Sequence, residues 1–182
     1  AIADAFFNRS FLDPSVKGTF PTELVEILKE IDHLPEYEAD DLKTIAENTV
    51  DLLGINYYQP RRIKAKETPI DSTNGPMPED YFDNYEMPGR KMNIYRGWEI
   101  YEKGIYDILT NVRENYGNIR CFISENGMGV EGEERFINDA GEIEDDYRIE
   151  FISEHLKYVH QAIAEGSNVQ GYHMWTCMDN WS

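Results

Sequence analysis

Residues 119–125 read Ile-Arg-Cys-Phe-Ile-Ser-Glu, a mostly apolar run of strand length that ends on a carboxylate. Residues 50–58 and 169–176 are two further mostly apolar runs of strand length. Between the three runs lie residues 98–116 and 147–165, whose apolar side chains recur at helical spacing. The order strand, helix, strand, helix, strand predicts parallel neighbouring strands joined by right-handed crossovers, which is an α/β fold.

The region before the first strand predicts three helices. Residues 1–9 form the first, and Pro14 should stop it because a proline excludes the residue before it from the helical region. Pro21 suits the first turn of the second helix, and Pro35 ends that helix. Residues 40–48 form a third, short helix.

Two finer expectations concern a loop and a helix face. Residues 59–93 hold five prolines and little periodicity, which is typical of a functional or mobile connection. The helix over 147–165 is predicted to place five apolar residues on one face: Ile149, Ile152, Leu156, Val159 and Ile163.

The predicted sheet is too small to stand alone as a barrel. Three parallel strands do not close a barrel, and an open sheet of this size would leave apolar faces uncovered. We therefore expect residues 1–182 to be an incomplete part of a larger domain. A small, complete open α/β sheet is the alternative.

Charge and composition exclude several classes of function. The 182 residues carry 17 Lys and Arg against 35 Asp and Glu, a formal net charge of −18. That charge repels nucleic acid and anionic membranes, and the apolar runs are too short to span a bilayer. No secretory signal is present, so the sequence predicts a cytoplasmic protein. Cys121 and Cys177 match neither a disulfide framework nor a metal cluster.

Polar and aromatic side chains stand at the ends of all three strands. Because strand side chains alternate, Asn56 and Tyr58 share one face, Glu125 ends the second strand and Trp175 ends the third. In parallel α/β folds the functional groups gather at the carboxyl ends of the strands. Hydroxyls need amide and carboxylate partners, and a sugar ring packs its C–H face on an aromatic ring, so this group predicts a sugar site. Each residue alone is more often structural.

Two competing motifs are weaker. Residues 127–132 have the glycine spacing of a dinucleotide fingerprint, but the acidic, non-helical residues that follow would repel a diphosphate. The acidic residues of 139–146 lack calcium-loop spacing, and Asp145 and Asp146 more simply supply negative charge at a helix start. His155 and His160 do not share a helix face, so no metal site is predicted.

Five motifs together resemble family 1 of the glycoside hydrolases. Ile-Ser-Glu-Asn-Gly at 123–127 is similar to that family's nucleophile motif, and 53–58 to its strand six. Residues 96–100 are similar to its helix-six entry, 175–182 to its strand-eight signature, and 6–14 to the segment before strand six. The resemblance implies the C-terminal part of a (β/α)8 TIM barrel, with strands six to eight.

The resemblance also implies roles for six residues. Glu125 would be the nucleophile of a retaining mechanism, and Tyr58 would hydrogen-bond it. Asn56 would contribute polar contacts around the sugar, Trp175 would form the floor beneath it, and Trp98 would form the wall of the leaving-group site. The sixth residue is Ser182, discussed next.

Ser182 stands where many family members that cleave plain glucosides have a glutamate. A serine there is typical of the branch that cleaves 6-phosphorylated sugars, since a carboxylate would repel a phosphate dianion. We therefore expect hydrolysis of 6-phosphorylated disaccharides, most simply as a 6-phospho-β-glucosidase without cofactor or metal. A β-glucosidase for unphosphorylated substrates and a non-catalytic sugar-binding relative are the alternatives.

The family's acid/base glutamate lies in an Asn-Glu-Pro motif, which this sequence lacks. The 182 residues by themselves are therefore expected to be inactive. The sequence leaves open the choice between glucose and galactose, the leaving-group preference and the oligomeric state.

Overall fold

The computed structural model describes residues 2–68 and 77–178 of the chain. In these residues the α-helices are α1 (Ile2–Asp4), α2 (Ser10–Leu12), α3 (Thr22–Glu30), α4 (Ala39–Glu47), α5 (Lys103–Asn115) and α6 (Asp146–Ala164). The strands are β1 (Leu53–Asn56), β2 (Ile63–Ala65), β3 (Phe82–Asn84), β4 (Met92–Asn93), β5 (Trp98–Glu99), β6 (Cys121–Asn126) and β7 (Val169–Met174). The chain divides into two units, Ala1–Val50 with Arg61–Met87 and Asp51–Pro60 with Pro88–Ser182.

The first unit begins with helical turns that continue past Pro14, so the predicted stop is wrong. Wider π-type turns, Ala5–Arg9 and Asp13–Lys17, alternate with α1 and α2, and they accommodate the proline ring and its missing amide hydrogen. The buried Asp13 carboxylate also forms ion pairs with Arg9 at 3.0 Å and with Lys17 at 3.4 Å. The pair with Lys17 spans Pro14, and the segment ends at Gly18, where φ is 70°.

The next two helices follow the sequence closely. Helix α3 starts directly after Pro21, as predicted, but it ends at Glu30 rather than at Pro35. The backbone turns into the left-handed region at Asp32, where φ is 56°, and this ends the helix early. Helix α4 lies within one residue of its predicted bounds.

The proline-rich connection contains a short antiparallel ladder that periodicity did not predict. Strands β2 and β3 pair from Ile63 opposite Asn84 to Ala65 opposite Phe82. The buried Phe82 ring meets Phe7 edge-on, with centroids 5.5 Å apart. Aromatic packing inside this unit therefore supports strands too short to show an alternating pattern.

The second unit is built on a parallel three-stranded sheet in the order β1-β6-β7. This confirms the predicted parallel neighbours. Helix α5 connects β5 to β6, and helix α6 leads into β7. The core of this unit includes fully buried Ile105 and Leu109 of α5 and Ile123 of β6.

The predicted start of the first helix of this unit is wrong. Trp98 lies in β5, which pairs with β4, and α5 begins only at Lys103.

The five apolar residues predicted for one face of the second helix do share a face of α6, but the structure buries only Val159 among them. Ile152 is half-buried, and Ile149, Leu156 and Ile163 are exposed. The buried residues of α6 are Phe151, His155, Val159 and Ala162, which form a neighbouring stripe.

No helix of the described ranges combines the length and the apolarity needed to cross a bilayer.

His155 is fully buried in this unit. Its Nδ1 lies 2.7 Å from the carbonyl oxygen of Phe151, and its ring stacks on the Phe151 ring with centroids 4.1 Å apart. Its Nε2 has no hydrogen-bond partner among the described residues. Burial lowers the pKa of His155 below its ordinary value of 6.5, although the Phe151 carbonyl and Glu102 act in the opposite direction.

We expect this imidazole to make the stability of the protein depend on pH. Because the folded-state pKa is lowered, the unfolded chain takes up the proton first, so stability present above about pH 6.5 is lost as the pH falls. The free energy of unfolding should fall between pH 7.5 and pH 5.5 in the wild type. In His155→Leu this fall should be smaller by about 1 kcal/mol. Urea unfolding at the two pH values measures this difference.

The matched control is His160→Leu, which removes an exposed imidazole from the same helix and should leave the pH dependence as it is in the wild type. Equal pH dependence in the wild type and in His155→Leu would contradict the assignment.

Candidate active site

A cleft of about 1020 Å³ opens at the carboxyl ends of β1, β6 and β7, within the second unit. Its aromatic side chains are Tyr58, Tyr95, Trp98, Phe151 and Trp175. Its charged side chains are Arg96, Glu125, Glu131, Glu133, Asp145 and Arg148. Aromatic faces beside fixed charges suit a ring that carries hydroxyl groups.

Glu125 enters this cleft because the sheet register breaks beside it. Ile55 pairs with Ile123, but the next residue, Asn56, pairs with Glu125, and a second irregularity separates Ile123 from Asn126 on the β7 side. Strict alternation would place Glu125 on the buried face with Ile123. Instead Asn126 is buried and Glu125 is partly exposed, since a bulge re-aims the side chains that follow it.

The Glu125 carboxylate is held by Tyr58, two residues after the end of β1. Tyr58 Oη donates a hydrogen bond of 2.8 Å to Glu125 Oε2. Burial raises the pKa of Tyr58, and the hydrogen bond to Glu125 raises it further, so the phenol stays protonated and remains a donor. The Tyr58 ring is tilted against Trp98, with centroids 5.5 Å apart.

Asn126 links all three strand ends. Its Nδ2 donates to the carbonyl oxygen of Tyr57 at 2.6 Å, and its Oδ1 accepts from the Tyr172 hydroxyl at 2.5 Å. Its backbone oxygen accepts from the amide of Trp175 at 2.8 Å. Burial raises the pKa of Tyr172 to about 12, which keeps that hydroxyl protonated as a donor. The residue after Glu125 therefore fixes the positions of the tyrosine and tryptophan segments on either side.

Gly127 allows Trp175 to approach the end of β6. A Cβ atom at position 127 would lie 1.9 Å from the backbone oxygen of Trp175. This distance is too short for any residue other than glycine. Trp175 remains 42% exposed, and its ring lines the cleft. A glycine after the Glu-Asn pair is thus a steric requirement of this site.

Of the six residues predicted for the site, four line one cleft: Tyr58, Trp98, Glu125 and Trp175. Asn56 does not line it, and its Oδ1 accepts a hydrogen bond of 2.6 Å from Ser124. Ser182 lies outside the described residues. The roles of all six stay predictions.

Sequence reasoning missed a charged network around Arg148. The guanidinium forms ion pairs with Glu133 and with Asp145, the latter at 2.8 Å, and its Nε donates to the carbonyl oxygen of Met128 at 3.1 Å. Burial raises the pKa of Glu133, but hydrogen bonds from Tyr147 and Arg148 outweigh this and lower it overall. The network ties the segment after Glu125 to the start of α6. No motif signals it, because its members are widely spaced in the chain.

The structure offers no support for the competing motifs. A 3₁₀ turn of four residues, Glu133–Phe136, follows Gly132 where a dinucleotide fingerprint needs a helix. Across residues 2–68 and 77–178, no group of three or more His, Cys, Asp or Glu side chains is arranged to hold a metal ion. Cys121 is buried, Cys177 is exposed, and both are free thiols.

Comparison with known proteins identifies the class. The model of glycosyl hydrolase family 1 matches residues 2–182, and the chain belongs to that family.

Particular relatives are similar over almost the whole chain. The chain is 71% identical over 182 residues to the 6-phospho-beta-glucosidase GmuD of Bacillus subtilis (strain 168), covering 100% of this chain and 39% of that protein. It is 34% identical over 179 residues to a beta-glucosidase of Agrobacterium sp. (strain ATCC 21400), covering 96% of this chain and 35% of that protein. The solved family 1 β-glucosidase from Thermotoga maritima matches with a TM-score of 0.80 and 30% identity, covering 100% of this chain and 37% of that one. The chain thus spans less than two-fifths of the length of each of these relatives.

We expect Asn126→Ala to destabilise the protein by about 2 kcal/mol, because it leaves the buried carbonyl of Tyr57 and the half-buried hydroxyl of Tyr172 without their partner. Tyr172→Phe leaves only the Asn126 Oδ1 without its donor, while the bond from Asn126 Nδ2 to Tyr57 remains, so it should cost less. Urea unfolding of both variants and of Asn115→Ala, an exposed control on α5, measures the difference. A cost for Asn126→Ala no larger than that of the control would contradict the linking role.

Proposed function

We propose that this chain is the C-terminal portion, with strands six to eight, of a (β/α)8 barrel that hydrolyses β-glycosidic bonds in 6-phosphorylated disaccharides with retention of configuration. One observation carries the proposal. The carboxylate of Glu125 lies in a cleft with the Trp175 indole, and its Oε2 accepts a hydrogen bond of 2.8 Å from Tyr58. The 71% identity to a 6-phospho-beta-glucosidase supports the substrate class.

Glu125 acts as the nucleophile in this proposal. Tyr58 engages Oε2, and Oε1 attacks the anomeric carbon as the bond to the leaving oxygen breaks. The leaving oxygen takes a proton from a second carboxylic acid. The carboxylate so formed later takes a proton from the water that attacks the anomeric carbon, and the bond from that carbon to Glu125 breaks and releases the Glu125 carboxylate. The hydrogen bond from Tyr58 stabilises the carboxylate that leaves in this second step.

The second carboxyl comes from outside these residues in this proposal. Retaining hydrolysis needs two carboxyl groups about 5–5.5 Å apart. The sequence has no Asn-Glu-Pro tripeptide, in which the family carries its acid/base glutamate. The 182 residues alone should therefore release no product, and the complete enzyme is the form in which activity is measured.

The phosphate preference rests on charge. The cleft lining carries four carboxylates and two guanidinium groups, so an additional carboxylate near a phosphate dianion would be strongly repulsive. Ser182 instead offers a hydroxyl donor. In the phosphosugar branch that the sequence resembles, a lysine and a tyrosine that follow this serine complete the phosphate site.

We expect a 2-deoxy-2-fluoro-β-glucoside 6-phosphate with a good leaving group to label Glu125 covalently in the complete enzyme. Glu125→Gly should lower kcat by at least about 10⁴-fold, because it removes the nucleophile. Azide should restore activity to this variant and yield an α-glycosyl azide, since the small anion attacks from the vacated side. Peptide mass spectrometry and product NMR measure these outcomes.

The control is Glu142→Gln, which neutralises an exposed carboxylate outside the cleft lining and should retain wild-type kcat. A label on another residue, or azide products of β configuration, would disprove the assignment of Glu125. Tight binding of the inhibitor without any covalent label or turnover would favour a non-catalytic sugar-binding relative.

We expect the complete enzyme to hydrolyse nitrophenyl β-glucoside 6-phosphate with a kcat/KM at least about 100-fold above that for nitrophenyl β-glucoside, since charge-assisted hydrogen bonds hold the phosphate. Ser182→Glu should lower kcat/KM for the phosphorylated substrate by at least about 10-fold through like-charge repulsion. The unphosphorylated substrate provides the internal control, because the same variant should not lower its kcat/KM. A wild-type preference for the unphosphorylated substrate would overturn the phosphosugar assignment.

A further inference from the structure

Arg96 lies at the outer end of a series of contacts that starts at Glu125. The Tyr58 hydroxyl contacts the carboxylate at 2.8 Å, and the Tyr58 ring packs on Trp98 with centroids 5.5 Å apart. The guanidinium carbon of Arg96 lies 5.7 Å from the centroid of the Trp98 ring. Arg96 also lines the cleft and is exposed. A guanidinium therefore follows two aromatic rings outward from the reacting carboxylate.

Gly129 provides the space in which this guanidinium sits. A Cβ atom at position 129 would lie 2.8 Å from Arg96 Nε, so an alanine there would displace the arginine side chain from this position. The φ of Gly129 does not lie in the left-handed region, so an alanine there meets only the side chain of Arg96. A change at Gly129 therefore acts on the site through Arg96.

Asn93 fixes Arg96 and Gly129 relative to each other. Its side chain is buried, its Nδ2 donates to the carbonyl oxygen of Gly129 at 3.0 Å, and its Oδ1 accepts from the amide of Tyr95 at 3.1 Å. One side chain therefore joins the segment that carries Arg96 to the segment that follows Glu125. The backbone segment from which Arg96 extends is therefore positioned against the segment that carries Gly129.

We propose that Arg96 determines specificity for the leaving group: it donates hydrogen bonds to a leaving sugar while Trp98 packs against the face of that sugar. This inference rests on the proposed function. A guanidinium presents five N–H donors in one plane, more than a single partner engages, and sugar hydroxyl and ring oxygens are acceptors. In the proposed function the reacting sugar lies over Trp175, at the end of β7, whereas Arg96 lies on the connection between β1 and α5.

The test compares Arg96→Met with the wild type in the complete enzyme. Methionine keeps the length and apolar stem but removes every donor. We expect kcat/KM for a β-linked glucose disaccharide phosphorylated on its non-reducing unit to fall about 10-fold or more, the loss of one hydrogen bond to a charged group. The kcat/KM for nitrophenyl β-glucoside 6-phosphate, whose leaving group lacks hydroxyls to accept these bonds, should change by less than about 3-fold on the same reasoning.

Gly129→Ala is the second variant, and it displaces Arg96 without removing it. It should reproduce the loss on the disaccharide phosphate and should add little to Arg96→Met in the double variant, because both changes act on the same contact. Arg120→Met, which removes an exposed guanidinium away from the cleft, is the matched control and should match the wild type on both substrates.

Three results would overturn the inference. Equal losses on these two substrates and on nitrophenyl β-glucoside would place Arg96 with the reacting sugar. Equal losses on the two phosphorylated substrates alone would place it with the phosphate. Unchanged kcat/KM for the disaccharide phosphate would show that Arg96 does not contact the leaving sugar.

Calorimetric binding in the inactive Glu125→Gln background separates this inference from the proposed function. There Arg96→Met should weaken binding of the disaccharide phosphate about 10-fold and leave binding of glucose 6-phosphate unchanged. If the wild type hydrolyses neither substrate while this binding difference persists, the proposed hydrolysis fails and the role of Arg96 stands. If the binding difference is absent, the role of Arg96 fails whatever the turnover.

Discussion

The register break beside Glu125 is the constraint on which the cleft depends. Parallel pairing holds β6 between β1 and β7, and both neighbours shift register within the last residues of β6. A bulge of this kind re-aims the side chains after it, which moves Glu125 out of the buried face and puts Asn126 into it. The break is stable because the side chain of Asn126 bonds to Tyr57 and Tyr172, so the buried amide has partners on both sides.

The rest of the cleft is positioned from this point. Asn126 also accepts the backbone amide of Trp175, and the missing side chain of Gly127 lets that backbone come close. The segment beyond is held by Asn93 at Gly129 and by Arg148 at Met128. Groups from four parts of the unit thus meet around one carboxylate through hydrogen bonds to backbone atoms, which fixes their positions more firmly than contacts between exposed side chains would.

The cleft lining carries positive as well as negative charges. The chain carries a net charge of −18, but the two guanidinium groups of the lining are placed against specific partners. Arg148 is paired with Glu133 and Asp145, whereas Arg96 lies against the Trp98 ring and Gly129. The first arginine therefore has a structural role in holding the loop, and the second is the one that we propose binds the leaving sugar. Neither role follows from net charge.

Sequence by itself determined the α/β class, the parallel strand order, the bounds of α4 and α6 to within about a residue, and the identity of Glu125, Tyr58, Trp98 and Trp175 as members of one cleft. The class, the strand order and the helix bounds follow from local periodicity, which a single chain displays directly. Glu125, Tyr58 and Trp175 follow from their places at strand ends, and Trp98 follows from the resemblance to family 1. Only the tertiary structure decided which stripe of α6 is buried, that helical turns pass Pro14, and that Asn56 bonds to Ser124 outside the cleft lining. The tertiary structure alone also decided the register break and the contact of Arg96 with Gly129. Strand pairing and contacts between distant loops depend on atoms that no local sequence pattern brings together.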